Sequence, residues 1–123
     1  MKLRQFVPLV SFAVMLISGY ANAGASNDFK LSCNNTTATI AEGINLTKYN
    51  ADTNTKHKGI FITDNKGTTR RIPGAELYPD NYIAEEIRKT ALAAVMSGMK
   101  VNICEKKISK SLTEVWAIEL DSQ

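Results

Sequence analysis

The chain is predicted to be a small α+β domain, mainly β: a closed barrel of the OB type with a short N-terminal helix and one long helix packed across it. Three observations predict this. The elements run helix, four strands, long helix, two strands. Once a leader-like amino terminus is set aside, about a hundred residues remain, enough for a single modest core. The two cysteines, Cys33 and Cys104, stand near opposite ends of that stretch.

The first segment is a secretory signal peptide by pattern. Lys2 and Arg4 precede an apolar run from Phe6 to Ile17, broken only by Pro8 and Ser11, and the stretch closes on Ala21-Asn22-Ala23. About a dozen apolar residues are too few to cross a bilayer as a helix, and no later segment could span one. Cleavage is expected after Ala23, so residues 1–23 are the signal peptide and 24–123 the mature domain, secreted by export through the periplasm. Processing removes Lys2 and Arg4 and no acidic residue, which takes the net charge of the chain from +3 down to +1. A nucleic-acid binder needs a larger positive excess to neutralise phosphates, so that class loses its electrostatic support.

Ser26 or Asn27 caps a short helix to Asn34, in which Phe29 and Cys33 share a face. Thr36 to Ala41 is β-branched and strand-like, Glu42-Gly43 reads as a turn, and Ile44 to Tyr49 as the next strand. Asn50 to Lys58 is a polar loop. Gly59 to Thr63 is a buried strand, Asp64-Asn65-Lys66-Gly67 a hairpin turn with Gly67 free to take positive φ, and Thr68 to Ile72 the returning partner. After Pro73-Gly74, Pro79-Asp80 opens the long helix with Asp80 as cap, and Gly98 closes it. Ile83, Ile87, Ala91 and Ala94 form its apolar stripe, widened by Leu92, Val95 and Met96. Lys100 to Lys106 and Thr113 to Leu120 are the last strands. In the final one Trp116, Ile118 and Leu120 are expected on one face and Val115 and Ala117 on the other, so both faces are apolar. This pattern fits subunits packed side by side, and it also fits a monomeric α+β domain with extra surface hydrophobicity.

An exported chain with two cysteines has one possible intramolecular disulfide. A Cys33–Cys104 bridge would close a loop of about seventy residues, worth roughly 4 kcal/mol by chain entropy. Catalytic constellations are missing. The single histidine, His57, lies between Lys56 and Lys58 with no acidic partner nearby in sequence. Glu85-Glu86 are helix neighbours about 100° apart, and there is no metal-ligand spacing, phosphate-cradling glycine run or nucleophile elbow. No enzyme, metal or cofactor is expected.

Several stretches carry a family resemblance: Gly24-Ala25-Ser26, Cys33-Asn34, Thr36-Thr37-Ala38, Glu42-Gly43, Leu46-Thr47-Lys48-Tyr49, Tyr78-Pro79-Asp80-Asn81, Ile87-Arg88-Lys89, Ala93 to Met99, Val101-Asn102, Cys104 and Val115 to Leu120. They resemble the B subunits of the type II heat-labile enterotoxins, distant relatives of cholera toxin B, over essentially the whole mature chain. The resemblance implies an OB-fold receptor-binding subunit. It would assemble with four identical copies into a ring-shaped homopentamer, bind host gangliosides, and carry an ADP-ribosylating A subunit through the central pore. The alternative is a small secreted OB-fold binding protein or inhibitor without a toxin partner. The resemblance places ganglioside recognition at Thr36, Thr37 and Ser97, with Gly98 beside the last. His57 stands where the family has a threonine. Type I relatives have a galactose-stacking tryptophan two residues past their second cysteine; that position here is Lys106, so their galactose pocket does not transfer.

Overall fold

The computed structural model describes residues 24–53, 58–74 and 81–121. The expected signal peptide, His57 and the expected Pro79-Asp80 helix start lie outside them. The elements are α1 (Asn27–Asn34), β1 (Thr39–Ile44), β2 (Leu46–Asp52), β3 (Gly59–Asp64), β4 (Thr69–Ile72), α2 (Asn81–Ser97), β5 (Lys100–Ser109) and β6 (Leu112–Asp121). The mainly β class and both helices are as expected.

The six strands form one sheet in the order β1-β5-β6-β4-β3-β2, antiparallel except between β4 and β6. The expectation of a closed barrel is corrected: hydrogen bonding leaves the sheet open, with β1 and β2 as its edges. The reason lies in the chain itself. β1 ends at Ile44 and β2 begins at Leu46, so the two edges are halves of one bent run that pairs with β5 on one side of Asn45 and β3 on the other. The predicted turn at Glu42-Gly43 is likewise a β-bulge inside β1, where an extra residue bends the strand. The register shifts between Ala41 and Ile44, Gly43 takes a positive φ of 65°, and the Gly43 amide donates to the buried Asn102 side chain at 3.0 Å. Only glycine takes that backbone conformation without steric cost.

The main core joins Leu46, Ile62, Ile72, Val101, Ile103 and Val115 of the sheet to Ile87, Ala91 and Ala94 of α2. The buried helix stripe is Ala84, Ile87, Ala91 and Ala94, at i, i+3, i+7, i+10 spacing. Ile83, predicted to belong to it, is 48 % exposed instead, one residue round the helix. Ala91 and Ala94 are fully buried, and their small side chains let the helix lie close to the sheet. A second cluster holds the Cys33–Cys104 disulfide with Ala38, flanked by Phe29, Ile40, Trp116 and Ala117.

A bulge in β6 separates the two clusters and corrects the predicted faces of that strand. Cys104 pairs with Ala117 but Glu105 with Val115, so Trp116 is an extra residue and strict alternation fails there. Val115 and Ile118 therefore pack with the main core, whereas Trp116 and Ala117 pack with the disulfide.

Two polar networks tie distant segments together. Arg70, buried on β4, donates to Asp64 at 3.1 Å and to Glu105 of β5 at 2.5 Å, and Asp64 also accepts the Lys66 and Thr68 amides across the hairpin turn. Burial alone would raise the Asp64 pKa. The Thr68 amide, the Arg70 guanidinium and the Lys66 amide outweigh it and hold the carboxyl below its ordinary value. At the start of the domain three carboxylates receive three successive amides: Gly24 donates to Asp121 at 3.3 Å, Ala25 to Glu42 at 2.8 Å, and Ser26 to Glu119 at 3.1 Å.

Candidate functional site: the threonine rim

Thr36 and Thr37 follow α1 directly and are both exposed. The Thr36 hydroxyl donates to the Cys33 carbonyl at 2.6 Å and accepts the Ala38 amide at 3.0 Å, while the Thr36 amide also reaches the Cys33 carbonyl. This threonine therefore closes the C-terminal turn of α1, and its only hydroxyl hydrogen is already used. The bridge from Cys33 to Cys104, with Cα atoms 5.8 Å apart, fixes that turn to β5. Thr37 is different. Its carbonyl accepts from Lys106 Nζ at 3.5 Å, and its hydroxyl has no hydrogen bond among the described residues. The pair is thus one anchoring residue and one free donor and acceptor on a rigid rim, the arrangement a sugar hydroxyl needs.

Lys106 reaches the threonine rim. With Lys107, Ile108 and Lys110 it forms the tip joining β5 to β6. Three lysines within five residues are the signal that marks this tip in the sequence.

Ser97 and Gly98 lie elsewhere. Gly98 ends α2 with a positive φ of 78°, its amide bonds the Ala94 carbonyl at 2.9 Å, and Ser97 Oγ accepts the Met99 amide at 3.1 Å. This is the usual glycine stop of a helix. The two residues precede the first residue of β5, Lys100, whereas the threonine pair sits beside its later residues, since Thr39 pairs with Glu105. Strand rise separates Lys100 from Lys106 by roughly 20 Å. Within one subunit the structure does not bring Ser97-Gly98 to Thr36-Thr37.

A separate cavity of about 410 Å³ on the outer face of β2, β3 and β4 is lined by Asn50, Asp52, Phe61, Thr63, Thr69, Arg71, Ser111 and Leu112. Arg71 there donates to the buried Glu114 at 2.6 Å, which also accepts the Trp116 indole at 3.3 Å. This relay holds the bulged residue in place. Among the described residues no group of acidic, histidine or cysteine side chains is arranged to hold a metal, and no helix is long and apolar enough to cross a membrane.

An open six-stranded sheet crossed by one long helix is a fold shared with solved chains of AB5-type toxins. Solved structures share the fold: the GM1-bound form of the ECX AB5 holotoxin (TM-score 0.60, 24% identity, covering 80% of this chain and 98% of that one), and human heat-labile enterotoxin in complex with a blood group A antigen analog (0.63, 17%, covering 81% and 100%). The family model for the type II heat-labile enterotoxin B subunit matches residues 1–123. The chain is 48% identical over 108 residues to the heat-labile enterotoxin IIA B chain of Escherichia coli, covering 88% of this chain and 87% of the relative. It is 46% identical over 115 residues to the IIB B chain of the same organism, covering 92% and 93%. The chain belongs to the type II heat-labile enterotoxin B-subunit family. A B subunit is the exported, receptor-binding and non-catalytic part of its toxin, which sets aside the reading of an inhibitor without a toxin partner.

Proposed function

We propose that five copies of residues 24–123 form a ring that binds host gangliosides through the threonine rim and carries an ADP-ribosylating A subunit in its pore. The observation that supports the sugar site is the contrast within the pair: Thr36 is locked against the bridged end of α1 while Thr37 keeps a free hydroxyl. Ring assembly is supported by the apolar surface left exposed on α2: Leu92 and Met96 lie on its outer side, while Ile83, beside the buried stripe, forms a groove with Ile87, Trp116 and Ile118. Relatives of this fold include the GM1-bound AB5 holotoxin. Cleavage after Ala23 and assembly in the periplasm belong to the same reading, and the Cys33–Cys104 bridge supports an oxidising compartment.

Ser97 and Gly98 are kept as a second contributor, on the other rim of the same subunit, and His57 as a modifier of ganglioside choice. Two variants separate the rims. Thr37→Ile, which removes the free hydroxyl and adds bulk, is expected to weaken binding to a ganglioside panel about tenfold or more, the worth of one or two hydrogen bonds. Ser97→Asp is expected to weaken it less, by repelling a sialic acid carboxylate. Both should keep the size of the parent assembly by light scattering. Parental affinity in both variants would place the sugar site elsewhere.

A further inference from the structure

We propose that the β5–β6 tip is a membrane-contact element that docks on anionic phospholipid headgroups beside the sugar site. The charge is local. Lys106, Lys107 and Lys110 place three positive charges within five residues of a mature chain whose net charge is +1, so the rest of that chain is net −2. No acidic residue stands between Glu105 and Glu114. Those two are already committed, Glu105 to Arg70 and Glu114 to Arg71 and Trp116. Asp52, in the cavity wall with Ser111 and Leu112, is half-buried and has a partner of its own. Lys107 and Lys110 are exposed and form no ion pair among the described residues.

An apolar side chain completes the tip. The β5–β6 register shifts between Lys107 and Ser109, which leaves Ile108 without an opposite residue and 50 % exposed. A residue left out of the ladder in this way is turned off the regular face of its strand. A lysine cluster alone would suit any polyanion. An isoleucine set among the lysines gains nothing from a sulfated chain or a nucleic acid, but it partitions into the headgroup boundary of a bilayer while the ammonium groups meet phosphates. The direction fits as well, since Lys106 reaches the Thr37 carbonyl at 3.5 Å and the tip lies on the threonine rim. In the proposed ring, rotational symmetry puts all five tips on one side, so weak contacts act together. The inference rests on the ring reading for that multiplication and not on the identity of the sugar.

The test uses the oxidised, assembled protein and vesicles free of ganglioside, made of phosphatidylcholine with or without phosphatidylserine. Co-sedimentation is expected with the phosphatidylserine vesicles only, falling as salt rises. K107E/K110E should weaken it about tenfold or more, and Ile108→Ser about threefold. No binding by the parent, or equal binding by the parent and K107E/K110E, overturns the proposal. Parental binding by Ile108→Ser, together with equal capture on heparin beads, overturns the membrane assignment in favour of a general polyanion site. Phosphatidylcholine vesicles carrying ganglioside read the other site: K107E/K110E should bind them like the parent and Thr37→Ile about tenfold or more weakly. Failure of that arm alone counts against the threonine rim and leaves the tip standing.

Discussion

The two helices are attached to the same sheet by opposite means. Of the residues in α1 only Cys33 is buried. It is held at points: the Ser26 hydroxyl accepts the Phe29 amide at 3.2 Å at its start, and the disulfide secures its end. α2 is held along a face, through Ala84, Ile87, Ala91 and Ala94, and it keeps a second apolar side, with Met96 79 % exposed. A point-anchored helix has its outer surface free for display, and the rim it supports is where the sugar site is proposed. A face-anchored helix with apolar surface left over is suited to a neighbouring subunit.

Removing the point anchors should hurt most. Replacing both Cys33 and Cys104 with alanine is expected to cost up to about 4 kcal/mol in denaturant unfolding, with hydrogen exchange in α1 rising before that in α2. If α1 stays protected without the bridge, the contrast between the helices fails. The face anchor is tested by Ala91→Leu, which overfills a fully buried site. It should cost roughly 1–3 kcal/mol and loosen α2 while leaving α1 protected. The smallest effect belongs to the cap.

Ser26→Ala should cost about 1 kcal/mol by removing the cap of α1, and it also alters an acid response. Burial would raise the Glu119 pKa, but the Ser26 hydroxyl, the Ser26 amide and the Asn102 side chain hold it below its ordinary 4.5. Because the folded value is depressed, this stabilisation is fully present above that ordinary value and is lost as pH falls through the lowered one. Without the hydroxyl the folded value moves back toward 4.5. Stability of the parent and Ser26→Ala, measured by denaturant unfolding at a series of pH values, should therefore differ most at neutral pH, the gap narrowing on acidification to the contribution of the cap alone. A gap that stays constant down to acid pH would show that only the cap was lost.

Period and punctuation made most of the elements legible. Ser26 as cap, the Asp64–Gly67 hairpin turn and Gly98 as helix end all fall where their chemistry placed them. The two misreadings within strands share one cause, an irregularity that only the partner strand defines. Glu42-Gly43 carries turn chemistry, yet with β5 alongside it becomes a bulge, and Trp116 breaks the alternation of β6 because Glu105 pairs with Val115. Arg70 shows another limit. In a short strand an arginine reads as outward-facing, and nothing local announces that Asp64 and Glu105 meet it in the interior. For the site, Thr36 and Thr37 were reached by family resemblance, since two β-branched residues at a strand start carry no functional signal of their own. The hydrogen bonds of Thr36 to the end of α1 are what distinguish it from Thr37.

The carboxylate cluster at the start of the domain has a consequence for maturation. While residues 1–23 remain attached, the Gly24 nitrogen is an ordinary amide donor to Asp121, 3.3 Å away. The proposed cleavage would turn that same atom into an α-ammonium group, charged at neutral pH and lying between Asp121 and the Glu42 carboxylate that flanks Gly24. Export would then write itself into the folded subunit as one new ion pair, which fastens the beginning of the mature chain to its last strand and distinguishes a processed copy from a precursor.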